Sequence, residues 1–428
     1  MKPKLAFIDH SYHKKTRSSV FFEELLARKY EIIRFWDQSW CGGPAVELDG
    51  LLRMDFEKYV FWQVLYDADL LKVFPPNKVI LLPMYDQVHF RREDFWIQYR
   101  DFTFICFCRQ LHELLIALDI NSHYIQFFPK PHSPKEKLDQ GITGFFWSRI
   151  SAIQWDLIKK LTGQCLYDAF YLHDAPDVDP GITIRPNRED QVLFNIQISE
   201  WFPSQQDLVR IMEQANVYFA PRLFEGIGFS FLEAMSMGMC VVSPNNPTMN
   251  EYIVSGQTGI LYDVNDLRPL DFLNVRDIGK QAYDLIVKGR KKWQQESEKL
   301  LDDLMNQGFF DKRSRPDLHS TESITEIIAS FAEIPQNARL ALYGAGKAGR
   351  KFRRNIDVLR PDVRVVCYLD TFKTGKFDGL DIVPFYQAHG NTLHWDHIYV
   401  TSIYNKDISR VLRKMKIVHH VVADTLFR

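Results

Sequence analysis

The sequence predicts an α/β protein of two Rossmann-like domains followed by a third, smaller Rossmann-like domain. Three observations lead to this class. Short apolar segments alternate with helical segments along most of the 428 residues, which favours parallel sheets with helices on both faces. The length is typical of two or three domains. In two places a glycine-rich turn stands between a predicted strand and a predicted helix, where such sheets bind ligands.

Residues 1–140 predict the first domain. Apolar segments predict its strands, and Asn121 marks the expected end of its last helix. The strands are "KLAFID", "YEIIRFW", "YVFWQVLY", "KVILLPMYD" and "FTFICFC", and the helices are "SSVFFEELLARK" and "RQLHELLIAL". The next segment, "SHYIQFFPKPHSP", has the proline content of a linker, which places the domain boundary near residues 130–142.

Residues 141–315 predict the second domain and residues 335–428 the third. The second contains strands such as "VLFNIQIS", "VYFAP" and "MCVVS", and a long charged helix over residues 275–307. The third begins with "ARLALYGAGKAGRKFRRNI", a strand, a glycine turn and a helix. It continues with the strands "VRVVCYLD" and "HIYVTS" and the helix "KDISRVLRKMKI". Two such domains joined by a linker make a cleft, with ligand sites at the carboxyl ends of the strands.

Composition argues against several classes of function. The net charge of −1 gives no whole-molecule attraction to nucleic acid, so we expect no nucleic-acid partner. Six cysteines without a CxxC pair indicate free thiols in a reducing compartment. The apolar core of "MKPKLAFIDH" is too short for a signal peptide, and no run approaches the roughly 20 apolar residues of a spanning helix. We therefore expect a cytoplasmic protein.

The stretch "FEGIGFSFLEAMSMGMCVVSP" carries the strongest signal in the chain. Glu225 lies in the loop before a predicted helix over residues 229–237, and Glu233 lies within that helix. Gly226 and Gly228 let backbone amides approach a ligand without an intervening side chain. The amides and the dipole of the helix favour an anion at its start, whereas the carboxylates suit hydroxyl groups. The pattern predicts a phosphorylated, hydroxyl-rich ligand; a glycine-rich connection to an ordinary amphipathic helix is the alternative.

About 45 residues, "YFAPRLFEGIGFSFLEAMSMGMCVVSPNNPTMNEYIVSGQTGILYD", resemble the donor-binding signature of retaining GT-B glycosyltransferases of the glycogen-synthase and mannosyltransferase-like family. The resemblance implies a GT-B arrangement of the first two domains. It also implies transfer of a sugar from a nucleotide diphosphate sugar to a hydroxyl, with retention at the anomeric carbon. The donor would be a substrate, and no further cofactor or metal is expected.

The resemblance assigns roles to individual residues. Glu225 would face the donor sugar and support the reaction, Glu233 would hold the ribose hydroxyls, and Arg149 would bind the diphosphate. The remaining donor-binding residues would be Gly226, Ile227, Gly228, Phe229 and Ser230. The family usually has a lysine where this chain has Gln154, which puts the phosphate contacts and the activity in question.

The first domain is expected to hold the acceptor. The segment "DHSYHKKTRSS" follows the first strand and is basic, so His13 and Lys14 are candidates for contact with an anionic acceptor or with the donor phosphates; a solvated loop is the alternative. The family often has a histidine after "LLPM", where this chain has Tyr85 and Asp86, so Asp86 is a third candidate on the acceptor side.

Two DxD pairs and one basic segment carry weaker signals. Asp67 with Asp69, and Asp177 with Asp179, have the spacing of a metal site, but turn or helix positions explain both. The segment "VKGRKKWQQ" fits peripheral contact with a membrane surface or, as the alternative, a solvated helix face.

In the third domain, Gly344, Gly346 and Gly349 are in GxGxxG register after a strand, and Asp370 follows at the end of the next strand. This spacing fits an accessory nucleotide site in which the acidic group binds ribose hydroxyls. The remaining sequence is sufficient for half of a full dinucleotide fold. The segment also resembles small nucleotide-binding-like domains attached to sugar-modifying enzymes, whose role could be binding, assembly or structure.

The sequence therefore predicts a cytoplasmic retaining glycosyltransferase that acts on a glycan or glycolipid acceptor, at the inner face of the membrane if the acceptor is a lipid. Two other classes remain open. One is a catalytically weak or dead transferase-like scaffold, which the glutamine at position 154 motivates. The other is a nucleotide or NAD sensor that acts through the third domain. The sequence does not specify the oligomeric state.

Overall fold

The computed structural model of the chain contains three largely parallel sheets with helices packed against them, which confirms the predicted fold class. The residues that it describes are 2–132, 141–163, 165–176, 184–201, 205–306, 309, 327–370, 373–384, 393–402, 408–409, 412 and 417–426. In this part of the chain, no helix combines the length and the apolar character needed to cross a membrane.

The first sheet has six parallel strands in the order β2-β1-β3-β4-β5-β6. Its central strands are almost wholly buried, as expected for a sheet that helices cover on both faces. The strands are β1 (Lys4–His10), β2 (Glu31–Asp37), β3 (Lys58–Trp62), β4 (Val79–Leu82), β5 (Thr103–Cys106) and β6 (Asn121–Tyr124). The helices are α1 (His13–Thr16), α2 (Val20–Leu26), α3 (Leu48–Arg53), α4 (Ala68–Leu71), α5 (Tyr85–Val88), α6 (Glu93–Ile97) and α7 (Arg109–Ala117).

The second sheet also has six parallel strands, in the order β12-β11-β10-β7-β8-β9. Its strands are β7 (Thr143–Ser148), β8 (Ala169–Asp174), β9 (Ile196–Ser199), β10 (Val217–Phe219), β11 (Cys240–Pro244) and β12 (Ile260–Tyr262). Its helices are α8 (Trp155–Thr162), α9 (Arg188–Leu193), α10 (Gln205–Met212), α11 (Phe229–Ser236) and α12 (Val275–Asp303). Strand β10 leads through a short loop into α11, so the predicted donor signature lies at the carboxyl end of a central strand.

The third sheet has seven strands in the order β13-β19-β18-β14-β15-β17-β16, and β16 alone pairs antiparallel, with β17. The strands are β13 (Ile327–Ile328), β14 (Arg339–Tyr343), β15 (Arg364–Asp370), β16 (Gly375–Phe377), β17 (Leu380–Pro384), β18 (His397–Val400) and β19 (His420–Val422). Helix α13 (Lys347–Leu359) follows β14 through the glycine-rich turn.

Aromatic packing joins the parts of the chain that carry the first two sheets. The ring of Phe21, in α2, lies 5.4 Å from that of Phe229, the first residue of α11, and 5.7 Å from that of Trp293 in α12. Helix α12 also contacts the part of the chain that carries the first sheet: its Glu298 forms an ion pair with Arg28, which follows α2. These contacts place the start of α11 directly against α2, so the two halves of the predicted cleft face each other.

Two details of the predicted connections differ from the structure. The helix predicted to end at Asn121 ends at Ala117, and Asp119 takes a left-handed conformation with φ of 65°. Asn121 instead begins β6, where its amide donates to Thr103 Oγ1 at 3.0 Å and to the Phe309 carbonyl at 2.8 Å. The start of the segment predicted as a linker therefore belongs to the last strand of the first sheet, where it pairs with β5, and its prolines begin only at Pro129, after the strand has ended.

The sequence did not predict β8 or α9. Strand β8 has the sequence "AFYLHD" and is mostly buried. Because polar residues are mixed with its apolar ones, the sequence shows no apolar run there. The predicted helix "KDISRVLRKMKI" lies mostly outside the described residues.

Candidate functional site

The loop over residues 223–228, called the signature loop here, is fixed by side chains from the next connection along the second sheet. Thr248 Oγ1 donates to the Glu225 carbonyl at 2.6 Å, and Asn246 Nδ2 donates to the Leu223 carbonyl at 2.9 Å. Glu225 is 9% exposed. Two hydrogen bonds to backbone carbonyls hold the loop in one conformation, and so they fix the backbone from which the Glu225 side chain extends.

Two glycines of the signature loop occupy positions with no room for a side chain. A Cβ on Gly226 would lie 2.8 Å from Met84 Cβ and 3.0 Å from Asp86 Oδ1, both after β4 of the first sheet. Gly228, the residue before α11, has φ of 86°, and a Cβ there would lie 1.9 Å from the Phe231 ring. The glycines therefore permit both the close approach of the first sheet and the turn into the helix.

Glu233 lies on α11, eight residues after Glu225. Burial raises the pKa of the Glu233 carboxyl, and His132 acts in the opposite direction. The amide of His132 donates to the Ser236 carbonyl at 3.1 Å, and Ser236 Oγ donates to the Glu233 carbonyl at 2.7 Å. His132, in the connection between the first two sheets, is thus attached to the end of α11.

Tyr218 of β10 is a residue of this site that the sequence reasoning missed. It is fully buried, its ring stacks on Phe145 at 5.8 Å, and its hydroxyl makes no hydrogen bond of normal geometry. Burial raises the pKa of Tyr218, while Ser230 and Arg149 lower it. The glutamates of the signature, Glu225 and Glu233, also act on this phenol. Four predicted site residues therefore lie close enough to this phenol to affect its ionisation. The available signal was a tyrosine within the apolar strand that precedes the signature.

Arg149 follows β7 and lies with its guanidinium 4.3 Å from the centre of the Trp147 ring. The Trp147 ring contacts those of His173 and Trp201, with centroids 5.2 and 6.0 Å away. Burial lowers the pKa of His173 to about 4, with Asp174 raising it and Arg149 lowering it further. A neutral imidazole and two indoles therefore line this side of the site, next to the arginine.

Gln154, which stands where the family usually has a lysine, serves the local structure. It precedes α8, its Nε2 donates to the Ile150 carbonyl at 2.7 Å, and its Oε1 accepts from the Ile184 amide at 3.0 Å. Lys159, a nearby cation, pairs with Asp190 at 2.6 Å. Gln154 is therefore engaged with the backbone on both sides of its amide, and Lys159 with an aspartate.

The acceptor-side candidates do not all lie together. Asp86, at the start of α5, pairs with Arg222 of the second sheet at 3.2 Å, and its Oδ1 is buried without a hydrogen bond. Burial raises the pKa of Asp86, and Arg222 opposes this. His13 and Lys14 lie after β1: His13 is hydrogen-bonded to Asp9, and Lys14 lies 5.2 Å from the Trp36 ring. Asp86 is thus in contact with the signature loop, whereas the Lys14 ammonium lies over the ring of Trp36 in β2.

His89 occupies a second position near the signature loop. Its ring stacks on Phe224, the residue before Glu225, with centroids 4.2 Å apart, and its Nδ1 lies 2.9 Å from the Asp86 carbonyl. His89 therefore packs against the signature loop, next to Tyr85 and Asp86.

The glycine turn of the third sheet has part of the expected geometry. Gly344 has φ of 122°, and a Cβ on Gly349 would lie 2.3 Å from the Gly344 carbonyl oxygen. A Cβ on Gly346, in contrast, would meet nothing within 4 Å. Asp370 accepts from the amides of Ala345 and Lys373 at 3.0 and 3.1 Å. The Asp370 carboxylate is therefore already hydrogen-bonded to the backbone of the glycine turn. The nucleotide site at these residues stays a prediction.

The described residues contain no group of three or more histidine, cysteine, aspartate or glutamate side chains arranged to hold a metal ion. Asp67 precedes α4, and Asp69 pairs with Lys72 at 2.5 Å. The other DxD pair, Asp177 and Asp179, lies outside the described residues.

Part of the chain matches a known protein family. Residues 194–270 match the family model "Glycosyl transferases group 1", and this match supports a glycosyltransferase. No curated protein sequence matches the chain.

Solved structures resemble the chain at low sequence identity. Sucrose-phosphate synthase from Thermosynechococcus elongatus is 12% identical, with a TM-score of 0.51, over 71% of this chain and 99% of that one. This similarity supports the predicted fold class. The lipopolysaccharide outer core galactosyltransferase WaaB is 15% identical over 71% and 99% of the two chains, with a TM-score of 0.46. Anabaena HepE in complex with UDP and glucose is 14% identical over 70% and 100%, with a TM-score of 0.44.

Proposed function

We propose that the protein is a retaining, metal-independent glycosyltransferase that moves a sugar from a nucleotide diphosphate donor to a hydroxyl of a glycan or glycolipid. The observation that carries the proposal is the signature loop itself: Thr248 and Asn246 hold its backbone, Glu225 is buried in it, and it leads through Gly228 into the start of α11. The family match over residues 194–270 includes this loop and helix.

The proposed roles follow from the chemistry of each group. The amides of Phe229 and Ser230, at the start of α11, and the Arg149 guanidinium bind the diphosphate and stabilise the charge that it gains as the sugar leaves. Glu225 lies close to the positive charge that develops at the anomeric carbon. Glu233, on the opposite side of the helix start, accepts hydrogen bonds from the ribose hydroxyls. Gly226, Ile227 and Gly228 form the surface against which the sugar and phosphates lie.

The acceptor is proposed to enter from the first sheet. Asp86, which follows β4, contacts the signature loop from that side, and His13 and Lys14 follow β1, which is separated from β4 by β3 in the same sheet. We place the reaction in the cytoplasm, at the inner membrane face when the acceptor is a lipid, as a step in the synthesis of a surface polysaccharide or glycolipid. This setting follows from the family resemblance.

Calorimetric titration of the purified chain with UDP, GDP, TDP, CMP and NAD tests the proposal. We expect one nucleoside diphosphate to bind, and Glu233→Ala to weaken that binding. Binding of NAD alone would contradict the transferase function and assign the activity to the third sheet. A nucleoside diphosphate that binds with no turnover of any matching donor would favour the alternative of a catalytically dead scaffold, which the structural role of Gln154 motivates.

A further inference from the structure

Residues 246–251, called the anchoring turn here, lie between the signature loop and the first sheet. On the loop side, Thr248 Oγ1 of this turn donates to the Glu225 carbonyl at 2.6 Å. Thr248 is fully buried and has φ of 30°. A β-branched residue takes a positive φ only where the surrounding structure imposes it. The hydrogen bond to the backbone of Glu225 therefore depends on what holds the turn in place.

Glu251, the last residue of the anchoring turn, contacts the first sheet's part of the chain through both carboxylate oxygens. Oε1 accepts from the Arg109 amide at 2.7 Å, and Oε2 accepts from Tyr124 Oη at 2.6 Å. Arg109 is the first residue of α7, and the residue before it, Cys108, makes no side-chain hydrogen bond that caps the helix. The free amides and the dipole at this end of a helix favour a carboxylate. Glu251 therefore caps α7 across the contact between the two sheets.

Hydrogen bonds within the anchoring turn join its two ends. The Glu251 amide donates to the Thr248 carbonyl at 3.1 Å, and the Asn250 amide donates to the Asn246 carbonyl at 3.1 Å. The Glu251 carbonyl also accepts from Nε2 of Gln126, in the segment after β6, at 3.3 Å. The carboxylate that binds α7 and the hydroxyl that binds the signature loop therefore belong to one hydrogen-bonded unit, so a shift at one end moves the other.

The Glu251 carboxylate depends on both of its partners. Burial raises the pKa of Glu251, and the hydrogen bonds from Tyr124 and from the Arg109 amide oppose this. Burial and the nearby Glu251 carboxylate also raise the pKa of Tyr124, so the phenol keeps its proton and donates it. Removing this hydroxyl would leave one oxygen of a partly buried carboxylate without its donor.

We propose that Glu251 is a positioning residue for Glu225: it fixes the signature loop by holding the anchoring turn against α7 and Tyr124. This inference rests on the proposed glycosyl transfer, in which Glu225 lies close to the positive charge that develops at the anomeric carbon. Glu251 acts through the Thr248 hydroxyl and the loop backbone. Turnover is thereby tied to a hydrogen bond between the two sheets that lies outside the donor-binding residues.

Tyr124→Phe tests the inference, because it removes one hydroxyl of β6 and changes no donor-binding residue. The assay is release of nucleoside diphosphate from UDP-glucose, UDP-N-acetylglucosamine and GDP-mannose by the full chain, with water as the acceptor. Misplacement of a reacting group by about 1 Å typically costs on the order of 100-fold in rate. We expect kcat to fall by about 10- to 100-fold. KM and the affinity for the nucleoside diphosphate should stay unchanged, because Arg149 and the start of α11 supply those proposed contacts.

Two more variants separate positioning from general stability. Tyr99→Phe is the matched control: Tyr99 is buried, and its hydroxyl donates to the Tyr66 carbonyl at 2.8 Å within the first sheet's part of the chain. This variant should keep the wild-type kcat. Thr248→Val keeps the shape of the side chain but removes the hydroxyl that binds the Glu225 carbonyl. In that background, Tyr124→Phe should cause little further loss of kcat, because both changes break the same connection.

Hydrogen exchange gives a second readout, which needs no turnover. The Leu232 amide donates to the Gly228 carbonyl at 3.0 Å, where the signature loop meets α11. Loss of a hydrogen bond to a charged group should favour local opening by about 10-fold or more. We expect faster exchange at the amides of Leu232 and Glu251 in Tyr124→Phe, and wild-type exchange at both amides in Tyr99→Phe.

Each result supports or overturns the inference. Wild-type kcat or wild-type exchange at Leu232 in Tyr124→Phe would overturn it. Additive losses of kcat in the double variant would overturn it as well, and so would equal effects of Tyr99→Phe, because general stability would then explain them. A wild-type protein that binds no nucleoside diphosphate would refute the proposed function itself. Exchange at Leu232 would then still decide whether the anchoring turn couples the first sheet to the signature loop.

Discussion

Asp86 and Arg222 form an ion pair between the two sheets, with Oδ2 and Nη1 3.2 Å apart, directly beside the signature loop. The pair is partly buried, with side chains 19% and 28% exposed. Because the second oxygen of Asp86 has no hydrogen bond and burial raises the pKa of this carboxyl, the aspartate depends on Arg222 for its compensation. The ion pair therefore joins the two sheets beside the signature loop, which carries Glu225.

We expect Arg222→Leu to lower the melting temperature more than Asp86→Asn, because it leaves a partly buried carboxylate without its cation. Combining the two changes should recover part of the loss, with a coupling free energy of about 0.5–3 kcal/mol. Thermal unfolding of the two single variants and the double variant measures this. Additive losses would show that the ion pair contributes nothing to holding the sheets together.

Glu225→Ala should lower turnover of the matching donor by about 100- to 1000-fold, as for other groups that act mainly in the transition state. Turnover can be followed as release of nucleoside diphosphate, with circular dichroism to check folding. Glu189→Ala, at an exposed position in the first turn of α9, serves as the control and should retain activity. A folded Glu225 variant with normal turnover would remove the role proposed for this carboxylate.

Gly228→Ala should destabilise the protein and abolish nucleotide binding. The residue has φ of 86°, and a Cβ would lie 1.9 Å from the Phe231 ring, so both the backbone and the start of α11 must shift. Gly256→Ala is the matched control, because Gly256 has φ of 78° but nothing within 4 Å of a Cβ. The control should show the backbone cost alone, about 1–3 kcal/mol. Equal losses in thermal unfolding of the two variants would contradict the steric argument.

Stability should depend on pH through Glu113 of α7. Burial raises the pKa of this carboxyl from 4.5 to about 7, with Arg109 lowering it and Glu251 raising it. Glu251 comes from the second sheet's side and accepts from the Arg109 amide at 2.7 Å and from Tyr124 at 2.6 Å. The folded state therefore binds a proton that the unfolded state loses near pH 4.5.

Stability should consequently fall as the pH rises from about 4.5 to about 7, by on the order of 1–3 kcal/mol. Urea unfolding at pH 5, 6, 7 and 8 measures the slope. Glu113→Gln, which stays neutral, should flatten it over this range. A variant with the same slope as the wild type would assign the pH dependence to other groups.

The sequence alone determined the class of the fold and the most specific part of the site. Alternation of apolar and helical segments is a local property, so it revealed the sheets, and the glycines of the signature loop have backbone or packing requirements that a pattern can reveal. It could not reveal β8, whose polarity is mixed, or the role of Asn121, because long-range partners such as Phe309 decide that position.

Only the tertiary structure decided which polar groups meet. Tyr218 is affected electrostatically by the predicted donor residues because β10 leads into α11, and Asp86 meets Arg222 although 136 positions separate them in the chain. Gln154 accepts a hydrogen bond from the Ile184 amide, 30 positions further along the chain. Such contacts depend on how the sheets pack against each other. A sequence pattern misses them because it records only residues that are near neighbours along the chain.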